Sequence, residues 1–150
     1  MRTRRHILFC FAGTLVWVLQ AVAGDMVEVR IDTVLATNAS KDFDNRLGDM
    51  RRQLSAFRFS SYRLVKEERR QVGWGKQADF LLPGGRFLQV VPKEYVNEQI
   101  ALQVMLMEGA TPTSLMSTYL RIPNPGALFI AGRPHQEGTL IIRIGVAAEE

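Results

Sequence analysis

Between residues 99 and 147, apolar side chains recur at every second position in runs bounded by turn residues, and this period of two constrains the chain more than any other feature. Ile100, Leu102, Val104 and Leu106 share one face of a run over 99–107. Met116, Thr118, Leu120 and Ile122 do so over 114–122, and Leu140, Ile142, Ile144 and Val146 over 139–147. A short apolar strand over 127–131 lies between the turn Pro123-Asn124-Pro125-Gly126 and a second turn over 132–138. Upstream, Val27, Val29, Ile31, Thr33 and Leu35 alternate with Glu28, Arg30 and Asp32, which predicts a first strand over 26–36. A second strand is expected to begin at Phe57-Arg58-Phe59 and to run through the charged stretch 66–71. Strands over 76–82 and 86–91 flank the Pro83-Gly84-Gly85 turn.

One segment breaks the alternation. Phe43, Leu47, Met50 and Leu54 follow helical spacing, so an amphipathic helix is predicted over 41–55, capped by Ser40, with Asp42 and Asp44 in its first turn and Arg51 and Arg52 near its last. The order is strand, helix, then a long run of strands. It defines an α+β, mostly β fold: an antiparallel meander of about eight strands in two packed layers, with one helix after the first strand. Strands with one wet face exclude a doubly wound parallel sheet. Leu102, Val104, Leu106, Leu120, Ile142 and Ile144 are the expected core.

The amino terminus carries a different pattern. Arg2, Arg4, Arg5 and His6 precede a mostly apolar run over 7–19 and an Ala21-Val22-Ala23 site, the layout of a cleaved secretory signal. Arg4-Arg5 also fits a twin-arginine export signal, and Cys10 is misplaced for lipidation. Cleavage after Ala23 leaves one domain over 24–150 with sixteen basic and fifteen acidic side chains and no cysteine, destined for the periplasm or exterior. Such a domain rests on its core without disulfides.

The expected chemistry is sparse. Residues 24–150 hold one histidine, His135, in a turn sequence, and contain no nucleophile elbow, zinc-protease motif or phosphate-binding glycine loop. No metal, cofactor or catalytic residue is assigned, and no enzyme is expected. The carboxylate pairs Asp42 and Asp44, Glu67 and Glu68, and Glu94 and Glu98 each have an account as cap, strand or turn charge. Asn38-Ala39-Ser40 fits a glycosylation sequon. Residues 51–76 contain eight basic and two acidic side chains interleaved with Phe57, Phe59, Tyr62 and Trp74. Arg58, Arg63, Arg69, Arg70 and Trp74 are the candidate surface for an anionic lipid, polymer or partner. The competing account makes these arginines a charged guard on an exposed strand edge. Convergence of Arg63, Arg69 and Arg70 requires a bulge, since a regular strand puts Arg70 opposite the other two.

Two resemblances accompany this reading. Residues 100–146, with Thr118-Tyr119-Leu120-Arg121-Ile122-Pro123-Asn124-Pro125-Gly126 leading into Ala127-Leu128-Phe129-Ile130-Ala131-Gly132, resemble the strand and hairpin cadence of secretins, outer-membrane channels of bacterial secretion and pilus systems. Gly132 is followed by Arg133-Pro134 rather than glycine and an apolar residue, and the chain is too short for a channel subunit. The whole chain resembles small exported bacterial proteins of unassigned function, in which a helix precedes a Ser-Tyr-Arg-Leu strand, here 61–64, and a Leu-Pro-Gly-Gly-Arg hairpin, here 82–86. The resemblances imply a non-catalytic interaction or structural module of the periplasm or envelope, accessory to a secretion or surface assembly. Its expected partners are envelope proteins. Nucleic acid is not an expected partner, and membrane contact is at most peripheral. The alternative is anionic-ligand binding through 51–76.

Overall fold

The structure, a computed structural model, describes residues 26–109 and 113–149. The expected leader and cleavage site lie outside them. Eight strands form: β1 Met26–Thr37, β2 Ser61–Gly73, β3 Ala78–Leu82, β4 Arg86–Val96, β5 Gln99–Glu108, β6 Thr113–Pro123, β7 Gly126–His135 and β8 Gly138–Ala148. They make two antiparallel four-stranded sheets, one ordered β2-β1-β8-β7 and the other β3-β4-β5-β6. The second sheet is a plain meander. In the first, β1 sits between β2 and β8, so that the first strand pairs with the last. The result is two packed antiparallel sheets with unpaired corners between β2 and β3 and between β6 and β7.

The alternation read from the sequence sets the inner layer. Val27, Val29 and Ile31 of β1 and Ile142, Ile144 and Val146 of β8 meet Phe80, Leu88, Val90, Ile100, Leu102 and Val104 from the facing sheet. Leu102, Val104, Leu106, Ile142 and Ile144 are buried as expected. Leu120 is only partly buried, because β6 is an edge strand beside an open corner. A second core lies on the opposite face of the β1 sheet, where Val34, Ala36, Tyr62, Leu64 and Ile141 are covered by Leu47, Met50 and Leu54. The even-numbered residues of β1 explain this division. Glu28, Arg30 and Asp32 stand on the same face as Val34 and Ala36, and the helical segment shields only the apolar end.

That segment is shorter and tighter than predicted. It consists of a 3-10 turn Asn45–Met50, a single α turn Arg51–Leu54, here α1, and a 3-10 turn Ser55–Phe57. Asp44 rather than Ser40 provides the cap, accepting from the Arg46 N–H, and Asp42 and Asp44 precede the helix. The cause is tertiary. Residues 42–44 are tied to β2 by hydrogen bonds from the Asp44 N–H to the Tyr62 carbonyl (2.9 Å) and from the Tyr62 N–H to the Asp42 carbonyl (3.0 Å), which withdraws Phe43 from the helix. Buried Tyr62 also fixes the other end, its hydroxyl donating to the Leu54 carbonyl (2.7 Å) and accepting from the Phe59 N–H (3.1 Å). Phe57 and Arg58 therefore end the helical segment instead of starting a strand, with Arg58 left-handed at φ 60°. Strand β4 runs through Pro92 to Val96, past the expected end at Val91, by an irregularity between Pro92 and Glu94. The expected turn over 132–138 contracts to Gln136 and Glu137 as β7 extends to His135.

Candidate functional site

Strand β2 carries most of the basic stretch, and its pairing decides where each arginine goes. Thr33 pairs with Lys66 and Val34 with Leu64, so Val65 is the extra residue of a bulge. Downstream of it, Glu67, Arg69 and Gln71 stand on the outer face with Asp32, Arg30 and Glu28, while Lys66, Glu68 and Arg70 turn to the inner side. Arg63 pairs with Leu35 and shares the side of Arg70. The bulge thus separates Arg69 from the other two. Arg63 and Arg70 stand about 20 Å apart along the strand. Arg58 lies in the left-handed turn, and Trp74 packs against the main core. The structure does not bring Arg58, Arg63, Arg69, Arg70 and Trp74 together on one surface.

The inner charges bridge the first open corner. Lys66 Nζ donates to the Leu81 carbonyl of β3 (3.0 Å), and the Arg70 guanidinium lies over the Phe80 ring, 5.1 Å from its centroid. Glu68 holds both cations, accepting from Arg70 Nε at 2.9 Å and lying 3.4 Å from Lys66 Nζ. Burial pushes the Glu68 pKa up, but hydrogen bonds and charges from Arg70 and Lys66 outweigh it and leave the pKa lowered. Side chains thus join β2 to β3 where no strand pairing does.

The outer charges form a separate network that the sequence reading did not single out. Asp32 is fully buried, its Oδ1 accepting from Arg30 Nε (3.0 Å) and its Oδ2 from Arg143 Nη1 (3.1 Å). Glu67 Oε1 lies 3.4 Å from both Arg30 Nη2 and Arg69 Nε. Burial pulls the Arg30 pKa down, and Asp32, Glu67 and Asp49 more than offset it, so the pKa is raised. Arg30, Arg69 and Arg143 line a hollow of about 500 Å³ between the outer face of the β1 sheet and the helical segment. In the sequence Arg30 and Asp32 occupy the alternate, polar positions of β1, and Arg143 breaks the apolar run Leu140–Val146.

A larger hollow of about 700 Å³ lies beside the 37–44 loop and is lined by Asp42, Asp44, Arg63 and Glu137. It does not present Asp42 and Asp44 as a free acid pair. Both Asp44 oxygens are engaged, by the Arg46 N–H and guanidinium and by the Leu64 N–H (3.0 Å). Those hydrogen bonds, with the Arg46 one first, hold the Asp44 carboxyl well below the usual carboxylate range. Glu67 and Glu68 point to opposite faces, and Glu94 and Glu98 are exposed along β4 and its turn. Among the described residues no group of three or more His, Cys, Asp or Glu is placed to hold a metal ion, and no helix is long and apolar enough to cross a membrane.

Among the described residues the second corner shows no bridge of the Lys66 kind. Strand β6 pairs only with β5, and β7 only with β8. Inward-facing Met116 of β6 and Leu128 of β7 are 36% and 37% exposed, and an apolar cleft of about 270 Å³ opens beside Leu115, Met116, Ile130 and Ile142. No family model, curated protein or solved structure matches the chain.

Proposed function

We propose that the protein is a non-catalytic interaction module of the bacterial envelope, exported by its leader and accessory to a secretion or surface assembly, which takes an extended segment of a partner protein onto the free edge of β6. One observation carries the reading: β6 and β7 are the two sheet edges with few charges, and β6 keeps the longer regular run, Met116–Pro123 beyond its bulge at Leu115, against Gly126–Ala131 in β7. Strand β2 holds six charged side chains, β3 is five residues long, and β7 contains Pro134 and an irregularity between Ala131 and Pro134. All three are devices that keep edges from pairing. Strand β6 spans eleven residues with Arg121 its one charge, and Tyr119 on its outer face is 71% exposed. An added strand satisfies the unpaired backbone groups of such an edge, and the cleft beside Met116 takes an alternate apolar side chain of the partner.

The test is site-specific photocrosslinking in the native envelope, with the reactive residue at Ser117 or Tyr119 of β6 and, as control, at Val65 or Arg69 of β2. A discrete adduct from the β6 positions that disappears in Tyr119→Lys, Ser117→Lys protein supports the reading. Adducts that form equally from β2, or that survive the two lysines, overturn it.

A further inference from the structure

We propose that the hollow over the outer face of the β1 sheet binds a free amino-acid zwitterion, its carboxylate on Arg30, Arg69 and Arg143 and its ammonium toward Glu28 and Asp49. The site is independent of the β6 edge. Cross-strand register builds it: Arg69, Arg30 and Gly145 form one row across β2, β1 and β8, and Glu67, Asp32 and Arg143 form the next. Arg30 and Arg69 are directly opposite, a like-charge pairing that weakens a sheet unless an anion lies between them. In the structure the Oε1 of Glu67 takes that position, 3.4 Å from each arginine, through one oxygen of a half-exposed side chain. A carboxylate therefore already fits between the two guanidiniums, and a ligand carboxylate can replace the Glu67 oxygen with shorter, bidentate hydrogen bonds.

Behind them, Asp32 fixes the forks of Arg30 and Arg143 from a fully buried position while taking one donor nitrogen from each. Arg143 makes no other side-chain hydrogen bond among the described residues. Gly145 leaves space for it, since a Cβ there would lie 3.2 Å from Arg143 Nη1. Buried acids that orient partly exposed cations are the supporting shell of a binding site. The hollow is also lined by Glu28, Asp49 and Gln53. With Asp32 and Glu67 already set against the three arginines, those two further carboxylates disfavour a bare anion. They suit a ligand whose cation sits beside its carboxylate.

Thermal shift and calorimetric titration of the protein at low salt test this with glycine, alanine, glutamate, lysine and phenylalanine as probes and with acetate and ethylammonium as single-charge controls. At least one amino acid should stabilise the protein where neither control does. Arg69→Gln alters an exposed side chain whose recorded ion pair is the one to Glu67, so the fold is retained, and affinity should fall about tenfold or more. Glu67→Gln should tighten binding by removing the competing carboxylate. Stabilisation by acetate equal to that by the amino acids, an unchanged affinity in Arg69→Gln, weaker binding in Glu67→Gln, or no response to any probe would each overturn the proposal.

Discussion

Replacing Asp32 with Ala tests how far the outer charge network holds the β1 sheet together. Asp32 is fully buried and joins strands 111 residues apart in sequence through its bond to Arg143. Its removal leaves two guanidiniums, each about one-fifth exposed, without their acceptor. Breaking a buried pair from one side costs about 3–5 kcal/mol. Here the exposed parts of Arg30 and Arg143 rehydrate and Arg30 keeps Glu67 at 3.4 Å, so the low end applies, about 3 kcal/mol. Urea unfolding followed by circular dichroism is the assay. With a slope of about 2 kcal/mol per molar, the midpoint should fall by roughly 1.5 M without a change in slope. A double-mutant cycle of Asp32→Ala with Arg143→Ala should give a coupling of about 1–3 kcal/mol. A loss below about 1 kcal/mol, or additive single effects, would refute the reasoning and make the network a solvated decoration of the sheet.

Tyr62→Phe leaves the Leu54 carbonyl and Phe59 N–H without their partner and should cost about 1–3 kcal/mol in thermal or urea melts, with hydrogen exchange rising first over 54–59. Leu102→Ala or Ile144→Ala, at fully buried inner positions, should cost about 2–5 kcal/mol, whereas Tyr119→Ala should stay within about 0.5 kcal/mol by the same melts. Asp44 contributes stability that is complete above the ordinary carboxylate pKa of about 4 and is lost as pH falls toward its lower folded value. Asp44→Asn should therefore flatten the acid limb of a stability-versus-pH curve, and an unchanged acid limb would contradict its role as cap.

The strands and the inner core were legible because a buried face leaves a direct imprint on alternation: Ile100 to Leu106 and Leu140 to Val146 point inward as their period demands. The helical segment was legible only as an apolar stripe. Its true start depended on the backbone bonds between 42–44 and Tyr62, which join residues about twenty apart and leave no local signature. The basic surface failed to assemble for the same kind of reason, since one bulge at Val65 reassigns every arginine after it. Arg30 and Asp32 were legible as the polar face of β1, but their meeting with Arg143 depends on β1 pairing with β8, which no local pattern specifies.

That last pairing has a kinetic consequence. Strands β3 to β6 contact their sequence neighbours and can assemble as soon as they exist, whereas β1 waits for β8, more than a hundred residues away. Closure of so long a loop is slow, and two-state domains dominated by distant pairings fold in milliseconds to seconds rather than microseconds. A chain emerging amino end first holds β1 without one of its two neighbours until β8 has been made. The order of strands thus acts as a timer that keeps one edge of β1 open until β8 exists.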